Sequence, residues 1–275
     1  MQKLFETDHA TVSYRSEGTG TAVVLLHGFG ADSTAWNEQI NYLKTYCRLI
    51  VPDLPGSGKS AFKNNPTVPA IGSSQPSTIE YYADCIKGLL AFENIPQCIM
   101  LGHSLGGYIT LSFAESYPQR LTGFGLIHST AFEDNKEKKQ NRQKGIGMIA
   151  EYGSYAFLKN TIPPLFGKQF KKQHPEKIKQ LSETGNNFSK QALQLYYTAM
   201  KDRPDRTGVL RNSEVPVLFI IGTEDIAAPA SDVLNQVHLP KIVYIHILEN
   251  IGHMGMWEAP EKMNTALLEF IKGII

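Results

Sequence analysis

The feature of this sequence that most constrains its fold is a series of short apolar runs separated by longer amphipathic stretches. Runs such as Ala22–Leu26 and Val217–Ile221 contain no polar residue, which is typical of strands buried on both faces of a parallel sheet. The stretches between them repeat apolar residues at helical spacing, as helices that connect parallel strands do. The pattern predicts an α/β fold with a mostly parallel central sheet flanked by helices.

Local signals give approximate element bounds. Thr11–Ser16 alternates only weakly, which predicts an edge strand. Ser77 to Glu80 reads as a capping box with Ser77 as the N-cap of a helix. Phe62–Pro76, rich in Pro, Ser, Asn and Gly, predicts a long loop. The other predicted strands are Ala22–Leu26, Arg48–Val51, Cys98–Leu101, Gly123–Ile127, Val217–Ile221 and Val243–Leu248, and further helices are expected over Leu105–Tyr117 and from about Pro260.

One region interrupts this alternation. Residues 130–206 have no strand pattern and several helical ones, so we expect a helical cap inserted into a core formed by residues 1–129 and 207–275. The insertion holds 15 Lys and Arg against 8 Asp and Glu, a formal charge of +7, whereas the remainder carries −6. Two explanations stay open: helices with solvated lysine faces, or a lid whose field attracts anionic substrates.

Composition narrows the function classes. The 275 residues carry a net charge of +1, which gives no indication of a nucleic-acid or membrane partner. The three cysteines form no CxxC pair, which favours a reducing compartment and argues against disulfides or a zinc site. The first residues have no basic segment followed by an apolar one, so no signal peptide is expected. We therefore expect a cytoplasmic protein that needs no metal or other cofactor.

The segment Gly102-His-Ser104-Leu-Gly106 matches G-x-S-x-G, the pattern of a nucleophile on a sharp strand-to-helix turn. An apolar run leads into it and a helical pattern leads out, and glycine at 102 and 106 leaves room for the neighbouring backbone. Ser104 is the predicted nucleophile. The alternative is a serine that merely caps a helix.

A nucleophilic serine needs a base, and the base needs an acid to orient it. His253 follows the run Val243–Leu248 in a Gly-flanked loop, and Asp225 follows Val217–Ile221, with Glu224 as a competitor one residue away. Both positions lie just beyond predicted carboxyl ends of strands, where sites in open α/β sheets gather. His253 is the predicted base, and Asp225 is favoured as the acid.

The oxyanion of an acyl transfer needs two preorganised N–H donors. Leu105, directly after the nucleophile, supplies one, and Phe29 in His27-Gly28-Phe29-Gly30 is the expected second. An ordinary glycine-rich βα turn is the alternative for that loop.

Five motifs along nearly the whole chain resemble the α/β-hydrolase superfamily in its capped branch of esterases and C–C bond hydrolases: HGFG at 27–30, DLPGSGKS at 53–60, GHSLGG at 102–107, GTED at 222–225 and GHMGMWEAPE at 252–261. The resemblance implies Ser104, Asp225 and His253 as the catalytic triad, the Phe29 and Leu105 N–H groups as the oxyanion hole, and residues 130–206 as the cap. Ser57 stands where this family usually has histidine.

Within the same stretch Gly58-Lys59-Ser60 is like the end of a P-loop, but Asp53 occupies the position of the required first glycine, which argues against nucleotide binding.

The expected activity is hydrolysis of a small carboxylic ester through an acyl-enzyme on Ser104. The expected partner is this small-molecule substrate, with neither nucleic acid nor membrane, and the oligomeric state is left open. Two alternatives remain: cleavage of a C–C bond in a diketone-like acid, and a ligand receptor with slow turnover. The substrate pocket is expected to have a floor of Phe29, His103 and Leu105. Its possible walls are Trp36, Met254, Phe157, Leu165, Phe166, Tyr196, Tyr197 and Met200.

Overall fold

A computed structural model describes residues 1–63 and 77–274, and within them the chain forms one nine-stranded sheet flanked by helices. The strands are β1 Gln2–Glu6, β2 Ala10–Glu17, β3 Ala22–Leu26, β4 Arg48–Pro52, β5 Ala61–Phe62, β6 Cys98–His103, β7 Leu121–Ile127, β8 Val217–Gly222 and β9 Val243–Leu248. From edge to edge the order is β1-β2-β4-β3-β6-β7-β8-β9, with β5 beside β2. Neighbours from β4 to β9 along this order are parallel, whereas β2 is antiparallel to β1, β4 and β5. The predicted fold class is therefore confirmed.

The predicted strands are confirmed with ends that differ by two residues or fewer, but one edge of the sheet was predicted wrongly. The strand expected at Thr11–Ser16 is β2, and it is not an edge, because β1 pairs with one side of it and β4 with the other. The actual edge, β1, alternates between exposed and half-buried residues. A strand with so little buried surface has no apolar run by which a sequence pattern could reveal it.

Twelve α-helices occupy the described residues: α1 Asn37–Leu43, α2 Ile79–Phe92, α3 Leu105–Ser116, α4 Lys136–Tyr152, α5 Ser154–Thr161, α6 Lys168–Gln173, α7 Pro175–Glu183, α8 Lys190–Asp202, α9 Thr207–Arg211, α10 Ala230–Leu234, α11 Gly255–Glu258 and α12 Pro260–Lys272. None of the helices in residues 1–63 and 77–274 combines the length and apolar character that a bilayer crossing requires.

The helix predicted to start with a capping box begins differently. Thr78, not Ser77, is the N-cap of α2: its backbone is extended and its side chain accepts a hydrogen bond from the Tyr81 N–H. Glu80 pairs with the Arg206 guanidinium, so the reciprocal half of a capping box is replaced by an ion pair.

Most of the predicted loop Phe62–Pro76 lies outside the described residues, and its first residue, Phe62, ends β5.

Helices α4 to α8 occupy the stretch between β7 and β8 and contact the loops at the carboxyl ends of the strands. The Tyr196 hydroxyl on α8 donates to the Pro55 carbonyl at 2.8 Å, in the loop after β4. The His253 N–H, in the loop after β9, donates to the Leu165 carbonyl at 2.7 Å. These bonds hold residues 130–206 against the edge of the sheet at which Ser104 lies.

Candidate active site

Ser104 lies at the turn between β6 and α3 in a backbone conformation that non-glycine residues rarely adopt. Its φ is 52° and its ψ is −115°, and its side chain makes no capping hydrogen bond to the helix that follows. Such a conformation costs about 1–3 kcal/mol and persists only where the surroundings enforce it. Here the Ser104 N–H donates to the Ile127 carbonyl at 3.0 Å, and the Ser129 hydroxyl donates to the Ser104 carbonyl at 2.8 Å.

The two glycines of the motif are required by close backbone approach. A Cβ atom at position 102 would lie 2.2 Å from the Gly106 carbonyl oxygen, and one at position 106 would lie 2.5 Å from the Leu26 carbonyl oxygen. Both distances are far inside van der Waals contact with backbone atoms that have little freedom to move. The turn that exposes Ser104 at the end of β6 therefore depends on glycine at both positions.

Asp225 and His253 meet at the carboxyl ends of β8 and β9. His253 Nδ1 lies 3.0 Å from Oδ1 and 2.9 Å from Oδ2 of Asp225, so Nδ1 donates to the carboxylate. Oδ1 of Asp225 also accepts the backbone N–H groups of Ala227 and Ala228, at 2.8 and 2.9 Å. With Nδ1 engaged, Nε2 is the His253 nitrogen that is left to accept a proton. Ser104 and His253 line the same cavity.

The charge of Asp225 is stabilised within the fold. Burial opposes ionisation, but the neighbouring His253 and the hydrogen bonds from His128 and His253 outweigh it and hold the pKa of Asp225 well below its usual range. Glu224, the sequence-level competitor, faces elsewhere: its Oε2 accepts the Lys168 N–H at 2.6 Å. The carboxylate beside His253 is that of Asp225.

His128 is a second histidine on the same carboxylate, and it is not among the site residues predicted from the sequence. Its Nδ1 lies 3.3 Å from Oδ2 of Asp225, its side chain is fully buried, and its φ of 49° places it in a tight turn just after β7. The sequence feature that could have indicated this role is the position of His128 in the chain. His128 directly follows a predicted strand, and carboxyl ends of neighbouring parallel strands converge on one edge of the sheet.

Two backbone N–H groups next to Ser104 are free for a ligand. A Cβ atom at position 28 would lie 3.1 Å from the Ser104 Cβ, which puts the loop after β3 directly beside the serine. Within residues 1–63 and 77–274, no group accepts a hydrogen bond from the Phe29 or Leu105 N–H. Leu105 is the first residue of α3, where N–H groups have no partner inside the helix. These are the two groups predicted as oxyanion donors.

A cavity of about 110 Å³ opens onto Ser104 and His253. Among the side chains that the sequence analysis proposed for the pocket, six line it: Phe29, His103, Leu165, Tyr197, Met200 and Met254. Its other described lining residues are Ala31, Tyr108, Arg142, Leu158, Thr161, Ile162 and Ala227. Arg142, on α4, is a charged lining residue that no local sequence signal indicated.

Other predicted pocket residues do not line this cavity. Trp36 is fully buried, with its ring edge-on to His103 at 6.5 Å. Phe157 packs edge-on against Phe29 and Tyr197, behind the rings that reach the cavity. The Tyr196 hydroxyl is used by backbone carbonyls of the loop after β4. Leu105 and Phe166 are buried but are likewise absent from the lining.

His103, next to the nucleophile, is held neutral. Burial, together with the neighbouring His253 and His128, sets its pKa well below the usual value. Its Nε2 lies 2.9 Å from the His253 carbonyl oxygen, so Nε2 carries the proton and donates it there. His103 thereby ties the β6 turn to the loop that carries His253.

The chain matches a known protein family over most of its length. A family profile described as the alpha/beta hydrolase fold matches residues 21–260. The chain belongs to the α/β hydrolase family. The match covers the loop after β3, the β6 turn and the loops that carry Asp225 and His253, so the family assignment includes every part of the candidate site.

Relatives of this α/β hydrolase extend over nearly the whole chain. It is 24% identical over 271 residues to an (E)-2-((N-methylformamido)methylene)succinate hydrolase of Acinetobacter baylyi, covering 97% of this chain and 96% of that one. It is 24% identical over 288 residues to a 2-hydroxy-6-oxononadienedioate/2-hydroxy-6-oxononatrienedioate hydrolase of Burkholderia vietnamiensis, covering 95% and 91%. Among solved structures, a thermophilic esterase from Thermogutta terrifontis with malate bound is 26% identical, with a TM-score of 0.89 over 100% of this chain and 99% of that one.

Proposed function

We propose that this α/β hydrolase cleaves a small carboxylic ester through an acyl-enzyme on Ser104. The observation that carries the proposal is the Asp225–His253 pair, in which a buried carboxylate accepts a hydrogen bond from Nδ1 of a histidine that shares a cavity with the strained Ser104. The 26% identity to the Thermogutta terrifontis esterase over the full chain supports the same reaction class.

In the proposed reaction the Ser104 oxygen attacks the ester carbonyl carbon while Nε2 of His253 takes the hydroxyl proton. The Phe29 and Leu105 N–H groups stabilise the negative oxygen of the tetrahedral intermediate, each contributing about 2.7–4 kcal/mol. The intermediate collapses, the carbon–oxygen bond to the alcohol breaks, and His253 passes its proton to the departing alcohol oxygen. Water, deprotonated by His253, then attacks the acyl-enzyme. The bond to the Ser104 oxygen breaks, His253 returns the proton to that oxygen, and the acid is released.

The cavity supports a small substrate. Its volume of about 110 Å³ is below the range of about 300–1,000 Å³ that is usual for small-molecule pockets. Aromatic and aliphatic side chains form most of its wall, which favours a short apolar or partly apolar group next to the reacting carbonyl. We also propose that residues 130–206 act as the cap that shapes this cavity, because Leu158, Leu165 and Tyr197 belong to that stretch.

Cleavage of a C–C bond in a keto acid is the second candidate. It needs the same nucleophile and base, and the 24% identity to the Burkholderia vietnamiensis dienedioate hydrolase favours it. The two candidate reactions differ in the leaving group. An ester loses an alcohol when its C–O bond breaks, and a diketone loses a carbon leaving group, which must be protonated, when its C–C bond breaks. Turnover of methyl esters but not of a vinylogous 1,5-diketo acid supports the ester reading, and the reverse supports C–C cleavage.

The nucleophile can be tested independently of the substrate. A fluorophosphonate is expected to label the protein once per chain, at Ser104, and Ser104→Ala is expected to remain folded and unlabelled. Ser112, buried in α3 eight residues away, offers the matched control Ser112→Ala, which should be labelled like the wild type. A folded protein that takes no label would overturn the serine mechanism.

Methyl and p-nitrophenyl esters of increasing acyl length then define the substrate. Short acyl groups are expected to react fastest, with Ser104→Ala as the blank. If labelling succeeds but turnover stays far below one per minute on every ester, a ligand receptor on the same scaffold is the better explanation. A ligand-dependent rise in the unfolding temperature would support that reading.

A further inference from the structure

Arg142 brings a positive charge into the wall of the Ser104 cavity. It lies on α4 with its side chain 16% exposed, and it lines the cavity together with Ser104 and His253. No Asp or Glu among the described residues lines this cavity. Of the 15 Lys and Arg in residues 130–206, Arg142 is the member of the described lining that carries a fixed charge.

The charge of Arg142 is only partly balanced by its surroundings. Nε of Arg142 donates to Oδ2 of Asp134, but Oδ1 of the same carboxylate is paired with Nη1 of Arg203 at 2.9 Å. The Asp134 and Arg203 side chains are 1% and 3% exposed. One buried carboxylate therefore faces two guanidinium groups, so these three side chains together carry a net charge of +1. An excess charge in such a place is costly unless a further group compensates it.

Part of the guanidinium is available to a ligand. Nη1 of Arg142 has the sulfur of Met200 at 3.7 Å, a weak acceptor, and no oxygen among the described residues accepts a hydrogen bond from Nη2. The ring of Tyr197 lies 5.3 Å from the guanidinium carbon and itself stacks on Phe29 at 4.4 Å. The Tyr197 ring thus contacts both Arg142 and Phe29, whose N–H is a proposed oxyanion donor.

We infer that Arg142 binds a carboxylate of the substrate, so that the ester hydrolysed at Ser104 carries a negative charge at its other end. A guanidinium presents two parallel N–H groups that match the two oxygens of a carboxylate. The aromatic faces of Tyr197 and Phe29 would enclose the few carbon atoms between the ester carbonyl and the carboxylate. This inference rests on the proposed ester hydrolysis and adds the class of substrate, a monoester of a short dicarboxylic acid.

The test compares charged and neutral esters of similar length. The charged substrates are the monomethyl esters of succinic, glutaric and adipic acids, and the neutral ones are methyl butyrate, valerate and hexanoate, with methanol release as the measurement. The wild type is expected to prefer the charged ester of its best length in kcat/KM. Arg142→Gln is expected to reduce that preference about 10- to 100-fold, the range expected for a hydrogen bond to a charged group. Arg142→Lys, which keeps the charge but not the fork, should recover part of it.

A second variant separates binding from support of the local fold. Arg203→Gln removes one of the two charges on Asp134 from a side chain that does not line the cavity, and it leaves the Arg142 guanidinium in place. It is therefore expected to lower the unfolding temperature and to weaken the preference for charged esters much less than Arg142→Gln does. The inference is overturned if the wild type prefers neutral esters, if Arg142→Gln slows both series equally, or if Arg203→Gln shifts the preference as far. If Arg203→Gln does not fold, recovery by Arg142→Lys decides.

Failure of the proposed function looks different from failure of this inference. A wild type that takes no fluorophosphonate and hydrolyses no ester contradicts the serine mechanism. Calorimetric titration with glutarate then tests Arg142 alone: binding that is lost in Arg142→Gln supports the carboxylate site, and equal or absent binding in both proteins refutes it.

Discussion

Nδ1 of His128 lies 3.3 Å from Oδ2 of Asp225, and both side chains are fully buried. The carboxylate that orients His253 is therefore shared between two histidines that come from the ends of β7 and β9, on either side of β8. Because His128 helps to stabilise the ionised form of Asp225, we expect it to support the alignment of Asp225 with His253 without contacting the substrate.

His128→Ala is expected to lower kcat about tenfold, because a hydrogen bond to a charged group contributes about 1.5–3 kcal/mol and part of it supports the Asp225–His253 geometry. His128→Asn, whose side-chain N–H lies near the position of Nδ1, is expected to keep more of the activity than His128→Ala. His238→Ala, at an exposed position, is the matched control. An unchanged kcat in folded His128→Ala would assign His128 a packing role only.

Asp225→Asn is expected to reduce kcat by about four orders of magnitude, because an amide no longer fixes the His253 tautomer. Glu224→Gln, one residue away, should keep activity within a few-fold, since the Glu224 carboxylate accepts the Lys168 N–H and not His253. Steady-state kinetics of both variants on one ester provides the measurement. A larger loss in Glu224→Gln would exchange the two roles.

The depressed pKa of Asp225 also makes stability depend on pH. A carboxylate with a lowered pKa in the folded state stabilises the fold fully above its unfolded pKa of about 3.9 and loses that contribution as pH falls toward the folded pKa. The difference in free energy of unfolding between the wild type and Asp225→Asn should therefore shrink as the pH is lowered below about 4. Urea titrations across this pH range measure it, and a difference that is constant or grows would contradict the assigned charge.

Gly102→Ala is expected to destabilise the protein by about 1–3 kcal/mol or more and to abolish activity, because the new Cβ would lie 2.2 Å from the Gly106 carbonyl oxygen. Gly147→Ala in α4 is the matched control: its Cβ meets no atom within 4 Å. Alanine there should stabilise the helix by about 0.5–1 kcal/mol. Chemical denaturation of both variants tests the contrast, and a fully active Gly102→Ala would refute the tight turn.

The three thiols should be inert in the folded protein. Cys47, Cys85 and Cys98 are all free and buried, and burial raises their pKa values to about 11, 12 and 12. A thiol reagent at pH 8 should leave activity unchanged and label the cysteines only after denaturation. Rapid loss of activity with labelling of native protein would contradict their burial.

The sequence carried enough information for the parts of the fold that rest on local pattern. Strands such as β3 and β8 are buried on both faces, so their apolar runs are continuous and visible. Asp225 and His253 could be found because both follow such runs. By contrast, β1 has too little buried surface to leave a pattern, and Thr78 and Ser77 are equally able to cap a helix on local grounds.

What could not be predicted depends on contacts between distant segments. The contact of His128 with Asp225 requires β7 and β8 to be neighbours, which the chain order alone does not say. The placement of Arg142 depends on how α4 packs against α8, and many basic side chains near it look equivalent in the sequence. Aromatic side chains are common in pocket walls, so the sequence favours Trp36, Phe157 and Tyr196 as walls. Large apolar rings are equally common in the buried core, and that is where these three side chains lie.

The backbone at Ser104 has a consequence for how this protein can change over time. A φ of 52° is a conformation that glycine adopts readily and serine does not. On backbone grounds alone, Ser104→Gly should therefore raise the free energy of unfolding even as it removes the hydroxyl. Glycine here would give a more stable protein without a nucleophile, so position 104 is one at which the requirements of stability and of reactivity oppose each other.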